Sequence, residues 1–223
     1  DSNLPAAVDM DLSERIATLY DEMLGDVEKA TPYLERILAR DAGNERAFAR
    51  LKQILTSLER WGALESLYER SVAAADPVRQ TDLLAEAALV AEEITGERAK
   101  ATHYYERILE IDPHHEQAMR ALETLYAAQE SWEKLAALLG RRLDGAAGDE
   151  AIGLRLRLGT LHATRLGDYA RALDHLEVVL GADPGEKAAR DLVEQCLAKS
   201  ELRARAAVVL EATYLATDQP RDL

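Results

Sequence analysis

The sequence predicts an all-α fold, a stack of about twelve helices arranged as helix-turn-helix repeats. Three observations carry this prediction. The chain repeats itself: GDVEKATPYLERIL, from Gly25 to Leu38, and GERAKATHYYERIL, from Gly96 to Leu109, agree at nine of fourteen positions without a gap. Chance at ordinary composition gives roughly one match. The repeat has a period of 71: Gly25, Gly96 and Gly167 share it, as do Ala30, Ala101 and Ala172, then Asp41, Asp112 and Asp183, and Trp61 with Trp132. Finally, the chain is rich in Ala and Leu and only 5% aromatic, which favours helices. Strand formers are scattered and never alternate cleanly, so no sheet is expected.

Three modules follow from the period, at 12–82, 83–153 and 154–223, behind a short extension at 1–11, and they form one continuous array. Each module holds helix-length segments with apolar stripes at i, i+3, i+4, i+7 spacing. In the first module the stripes are Leu12, Ile16, Leu19, Tyr20 and Met23; then Ala30, Leu34, Ile37 and Leu38; then Ala47, Phe48, Leu51, Ile54 and Leu55; then Trp61, Leu64, Leu67 and Tyr68. Each stripe needs a neighbouring helix to cover it.

The punctuation between stripes has a physical logic. Gly25 sits where a helix must end, because glycine enters the left-handed conformation cheaply. Asp26 follows as an N-cap, its carboxylate accepting from free backbone N–H groups. Gly167 and Asp168 repeat the arrangement, and Gly96 with Glu97 approximates it. Asp112-Pro113 and Asp183-Pro184 end the second helix of their modules, since proline disfavours helical geometry in the residue before it. Asn44 and Ser131 are candidate caps for the third and fourth helices. Ala30, Ala101 and Ala172 place a small residue where two helices must approach closely.

These residues resemble tetratricopeptide repeats, whose period is about 34. Gly96, Ala101, Tyr105 and Pro113 match that family's turn glycine, packing alanine, aromatic and closing proline, and Gly167, Tyr169, Ala172 and Pro184 do the same in the third module. The resemblance implies two units per module and a right-handed α-solenoid. The doubled period is similar to divergent arrays in bacterial sequences; a related helical-repeat family is the alternative. The chain departs from the pattern in three ways. Tyr20 to Gly25 is one residue longer than the usual spacing. The second unit of each module lacks a turn glycine and uses Arg60-Trp61 or Ser131-Trp132. Arg203 stands where a third tryptophan is expected.

The net charge of −14 excludes nucleic acid as the expected partner, because no basic stripe offsets the repulsion of a phosphate backbone. No apolar run reaches the roughly 18 residues of a membrane span, so no membrane insertion is expected. A single cysteine, Cys196, rules out an internal disulfide framework and a four-cysteine zinc site. It lies on an apolar stripe and reads as a small hydrophobe. His114, His115 and Glu116 lack the i, i+4 spacing of a helical metal site and read as a solvated helix start. His162 and His175 read as packing or surface variants of tyrosine positions, and the two tryptophans as inter-helix packing. No phosphate loop, nucleophile elbow or metal signature is present. No catalytic, metal or cofactor residue is therefore expected, and the chain reads as a non-enzyme.

The function expected is a protein-interaction scaffold binding a protein or peptide on a concave face. In the resembling family the first helix of each unit lines that face. Alignment places Asp11, Glu14, Thr18, Asp21 and Glu22 there, with Asp82, Glu92 and Glu93 in the second module, and Arg46, Gln53, Gln117, Arg120 and Thr124 from the intervening units. The charge is concentrated toward the N-terminal half: the second module carries −7 and the third only −1. An acidic groove of this kind attracts a basic or amphipathic segment. The plainer alternative is that these carboxylates serve helix N-termini and solubility. Self-association into a homo-oligomer, or service as the recruiting region of a larger multidomain protein, are the alternative functions. The chain reads as a fragment, because it does not begin with Met and Gln219 to Leu223 falls where a fourth module begins. A cytoplasmic location is favoured.

Overall fold

The computed structural model describes residues 6–217, and their side chains from Val8 onward. They form twelve α-helices and, among the described residues, no strand. The chain divides into two compact units within α7, one ending at Ala121 and the other beginning at Leu122. The earlier unit holds α1 (Ala6–Thr18), α2 (Val27–Arg40), α3 (Glu45–Ser57), α4 (Trp61–Ala74), α5 (Pro77–Leu89), α6 (Arg98–Ile111) and the start of α7 (Glu116–Ala128). The later unit continues through α8 (Trp132–Gly145), α9 (Gly148–Leu161), α10 (Tyr169–Ala182), α11 (Lys187–Cys196) and α12 (Arg203–Ala216). Gln219 to Leu223, where a fourth module is expected to begin, lies outside the described residues.

Local chemistry explains where the helices start. The carboxylate of Asp26 accepts from the Lys29 N–H at 3.2 Å, and that of Asp168 from Arg171 at 3.0 Å. Asn44 caps α3 by accepting from Ala47 at 3.0 Å. One period later His115 accepts from Ala118 through Nδ1 at 3.2 Å, and one further on Glu186 accepts from Ala188 at 3.0 Å. His115 is thus a cap, satisfying one of the free N–H groups that begin α7. Ser131 occupies the N-cap position of α8 but its hydroxyl makes no capping bond, which corrects the expectation for that residue. Asp41, Asp112 and Asp183 each accept from the N–H two residues on, at 3.1, 3.1 and 2.9 Å. These side-chain turns close α2, α6 and α10.

The helix ends are equally periodic. Gly25, Gly96 and Gly167 all take left-handed backbone, with φ of 65°, 70° and 66°. The N–H following each glycine reaches back six residues, from Asp26 to Tyr20, Glu97 to Ala91 and Asp168 to His162. A glycine-terminated α-helix makes the same bond five residues back; here it is one residue longer. Ahead of each glycine the α-helix relaxes into one π turn, at Leu19–Met23, Val90–Ile94 and His162–Leu166. A π turn accommodates one extra residue, and it absorbs the additional residue between Tyr20 and Gly25.

The second unit of each module solves the same problem without glycine. Glu59 and Glu130, one period apart, adopt φ of 53° and 54°. A side chain with a Cβ is strained there by roughly 1–2 kcal/mol. Glu59→Gly and Glu130→Gly are therefore expected to stabilise the chain by about 1 kcal/mol each, the relief of strain outweighing glycine's entropic cost. Urea unfolding of the two variants against wild type checks this; a loss of stability would mean that the glutamate side chains hold these turns.

Within each unit short connections bring successive helices together, and ion pairs join several helices to the one two places on. In the earlier unit Arg50 of α3 pairs with Asp21 at the end of α1, Lys52 of α3 with Glu86 of α5 at 2.8 Å, and Lys100 and Arg107 of α6 with Glu65 and Glu69 of α4 at 2.7 and 2.6 Å. In the later unit Arg157 of α9 reaches Glu123 of α7 at 2.6 Å, and Arg205 of α12 reaches Asp174 and Glu177 of α10 at 2.5 Å. Within each unit these pairs join odd helices to odd and even to even, the two-layered stacking of helical repeats. The exposed pairs among these contribute little stability and serve to fix register; Asp21 and Glu123, with side chains 8% and 13% exposed, are the buried partners.

The core lies between the layers. Ala30, Ala101 and Ala172 are all fully buried. On the facing first helices the equivalent positions are Ala17, Ala88 and Gly159, and a Cβ on Gly159 would sit 2.7 Å from Leu176 Cγ. Small residues on both sides set the close approach. One stripe departs from expectation. Leu12, Leu19 and Met23 are exposed, and α1 instead buries Asp9, Ser13 and Ala17. Leu83, one period after Leu12, is buried where α5 packs on α4; no described helix precedes α1 to cover Leu12. Asp9 is tolerated inside because Arg40 and Arg36 pair with it at 2.8 and 3.4 Å.

Candidate functional site

In the earlier unit, α1 with its π turn, α2 and α3 enclose an open cleft of about 580 Å³. One wall is α1, presenting Glu14, Thr18, Asp21 and Glu22. The other is α3, presenting Arg46, Arg50 and Gln53. Ala17, Leu34, Ile37 and Ala47 supply apolar surface between them. Six of the predicted face residues, Glu14, Thr18, Asp21, Glu22, Arg46 and Gln53, therefore come together in one place.

The cleft is less acidic than the residue types suggest. Arg50 donates from Nε and Nη2 to the two oxygens of Asp21, and from Nη1 to Gln53 Oε1 at 2.6 Å. The bond to Asp21 holds the Arg50 guanidinium above its ordinary pKa despite partial burial. Asp21 is thus already neutralised. Glu14, Glu22 and Arg46 form no hydrogen bond or ion pair among the described residues. They are the groups with charge to offer, two carboxylates on one wall and one guanidinium on the other. Arg50 escaped sequence reasoning. Its only signal was its place four residues after Arg46 and three before Gln53, on the same face of α3.

The other predicted residues do not line this cleft. Asp11 is exposed and paired with Arg15 at 3.0 Å. Asp82 is exposed on α5. Glu92 and Glu93 lie in the second π turn, close enough to the buried Tyr105 that they add to the upward push of burial on its phenol. Gln117 and Arg120 are exposed on α7, with Arg120 bonded to Glu116 at 2.7 Å. Thr124 is exposed on the part of α7 that belongs to the later unit.

The chemistry-bearing residues elsewhere are accounted for by packing. Cys196 is fully buried, and burial pushes its thiol up, away from the reactive thiolate. His162 and His175 stack with ring centroids 5.8 Å apart. Burial holds both imidazoles below their ordinary pKa, and for His175 the neighbouring His162 and Arg155 act in the same direction. Their Nδ1 atoms have no hydrogen-bond partner among the described residues. Among the described residues no group of three or more His, Cys, Asp or Glu is arranged to hold a metal ion, and no helix is long and apolar enough to cross a membrane.

No family model matches the chain, and no curated protein matches it. Solved structures do. The structure of Naa15/Naa10 bound to HypK-THB is similar at 16% identity and a TM-score of 0.50, over 92% of this chain and 34% of that one. A tetratricopeptide repeat protein from Parabacteroides merdae shares 16% identity at a TM-score of 0.40, over 95% of this chain and 88% of that one. YrrB, described as a TPR protein with an unusual peptide-binding site, shares 16% identity at a TM-score of 0.39, over 78% of this chain and 86% of its own. The likeness is one of fold.

Proposed function

We propose that this tetratricopeptide-like array is a non-catalytic interaction scaffold that holds a protein or peptide segment in the cleft between α1 and α3. One observation carries the reading: Glu14 and Glu22 face an apolar-backed cleft with no ion-pair partner among the described residues, opposite an equally unpaired Arg46. Charges that make no hydrogen bond or ion pair beside apolar surface gain when a partner brings the complementary charge. The cleft lies within the range of volumes typical of built binding sites. The partner it fits is a basic amphipathic segment, with lysine or arginine toward α1 and apolar side chains toward Leu34 and Ile37.

The test is selection of binders from a displayed random-peptide library, on the wild type and on a Glu14→Lys/Glu22→Lys variant. The expected binders combine Lys or Arg with apolar residues, weaken with added salt, and bind the variant about tenfold or more less tightly. Binders that ignore the variant would contradict this reading.

A further inference from the structure

The three modules carry a pair of facing residues at equivalent positions, one before the turn glycine and one in the following helix. In the first module the pair is Tyr20 and Tyr33, stacked with centroids 6.1 Å apart. In the third it is His162 and His175, stacked at 5.8 Å. In the second it is Ala91 and Tyr104. Where the other modules place two rings, this one places a ring and a methyl group, and an open slot of about 430 Å³ results, lined by both residues and by Trp61.

A second substitution opens the same slot. Trp132, one period after Trp61, is covered by Arg165, whose guanidinium carbon lies 4.8 Å from the ring centroid. The residue equivalent to Arg165 is Ile94, which is half-exposed and leaves Trp61 on the slot's lining. The rim is anionic: Glu65 and Glu97 flank it, sharing the single ammonium of Lys100 at 2.7 and 2.9 Å. A carboxylate has about four acceptor positions, so both retain capacity. On Tyr104, Arg107 lies 5.9 Å from the ring centroid while paired with Glu69, so that face already tolerates a guanidinium.

We propose that the slot beside Ala91 receives an arginine side chain of a partner protein, its guanidinium stacking on Trp61 as Arg165 does on Trp132 and donating to Glu65 and Glu97. The occupant follows from shape and charge together. The missing element is flat, the width of a ring; the rim carries two carboxylates against one ammonium; and the chain fills the corresponding place over Trp132 with its own guanidinium. Arginine is planar, stacks on aromatic faces and donates in a fork, whereas lysine is a compact point charge. The site is separate from the α1–α3 cleft and stands without it.

The experiment follows the indole N–H resonances of Trp61 and Trp132 while the intact chain is titrated with acetyl-arginine amide, acetyl-lysine amide or acetyl-tyrosine amide. Trp61 is expected to shift saturably with the arginine compound, at about fivefold lower concentration than with the lysine compound, while Trp132, already covered, stays in place. Ala91→Tyr or Ala91→His, the residues of the other two modules, should abolish the shift; Glu65→Gln should weaken it, and Glu14→Lys/Glu22→Lys should leave it unchanged. Should one Ala91 variant fail to fold, the other and Glu65→Gln carry the same test. Absence of a saturable Trp61 shift, equal binding of lysine, tighter binding of tyrosine, or an Ala91 variant that folds and still binds would each overturn the proposal.

Discussion

Replacing Ile108 with alanine is expected to destabilise the chain by about 2–5 kcal/mol, and replacing it with valine by only about 0.5–1.5 kcal/mol. Ile108 is fully buried on α6, and Ile37 and Val179, one period before and after, are 2% and 1% exposed. The three positions do one job, presenting a branched side chain to the core between the layers. Truncation to alanine removes the burial of three carbons and leaves a cavity that the close approach at Ala101 keeps from collapsing. Valine is what the third module already uses at this place, so its cost should stay near that of one methylene group. Urea unfolding followed by circular dichroism measures both. An Ile108→Ala variant within about 0.5 kcal/mol of wild type would be the behaviour of a surface site and would contradict the packing described.

Glu123→Gln is expected to destabilise the later unit by about 1–3 kcal/mol at neutral pH. Glu123, with a side chain 13% exposed, is bonded by Arg142 and by Arg157 at 2.6 Å, joining α7, α8 and α9. Burial pushes its carboxyl up, but the hydrogen bonds from Arg157 and Arg142 outweigh burial and hold it below the ordinary 4.5. A carboxyl held low in the fold binds fewer protons there than in the unfolded chain. Its contribution is therefore complete above about pH 4.5 and is lost as pH falls through the folded-state value. Glutamine cannot titrate, so the gap between wild type and variant should close on acidification. A gap that stays constant from neutral to strongly acid pH would show that shape, not charge, holds this junction.

Much of the fold was legible because its signals are local. A glycine that must be left-handed, an aspartate or asparagine that caps, and an alanine that lets helices touch each act within a few residues of themselves. Gly25, Asn44 and Ala101 do what their types suggest. The failures share a different cause. Helical spacing identifies a stripe but not the neighbour that covers it, so α1 was read as burying Leu12 and Met23 when it buries Asp9, Ser13 and Ala17. Asp9 inside the protein makes sense only with Arg36 and Arg40, a helix away. His115 looked like a solvated residue because a histidine is an unusual cap, although its register with Asn44 marked the position.

The candidate site was legible to the extent that residues shared a helix face. Glu14, Asp21, Glu22, Arg46 and Gln53 line one cleft, whereas Asp11, Asp82, Glu92 and Glu93 lie outside it. What the residue types concealed was compensation. Asp21 counts as an acidic residue in any sum, yet Arg50 neutralises it across 29 residues of sequence. The slot beside Ala91 was concealed for the opposite reason: it is defined by a side chain that is smaller than its counterparts, and absence of a ring gives no local signal.

The proposed docking of a partner in the α1–α3 cleft has one most direct test. Cross-linking mass spectrometry on a captured partner tests it most directly, with the intact chain and the Glu14→Lys/Glu22→Lys variant as parallel baits. Cross-links are expected to α1 and α3, around Glu14–Glu22 and Arg46–Gln53, together with loss of that partner from the variant. A partner that the variant captures equally well, cross-linked only to other helices, would contradict it.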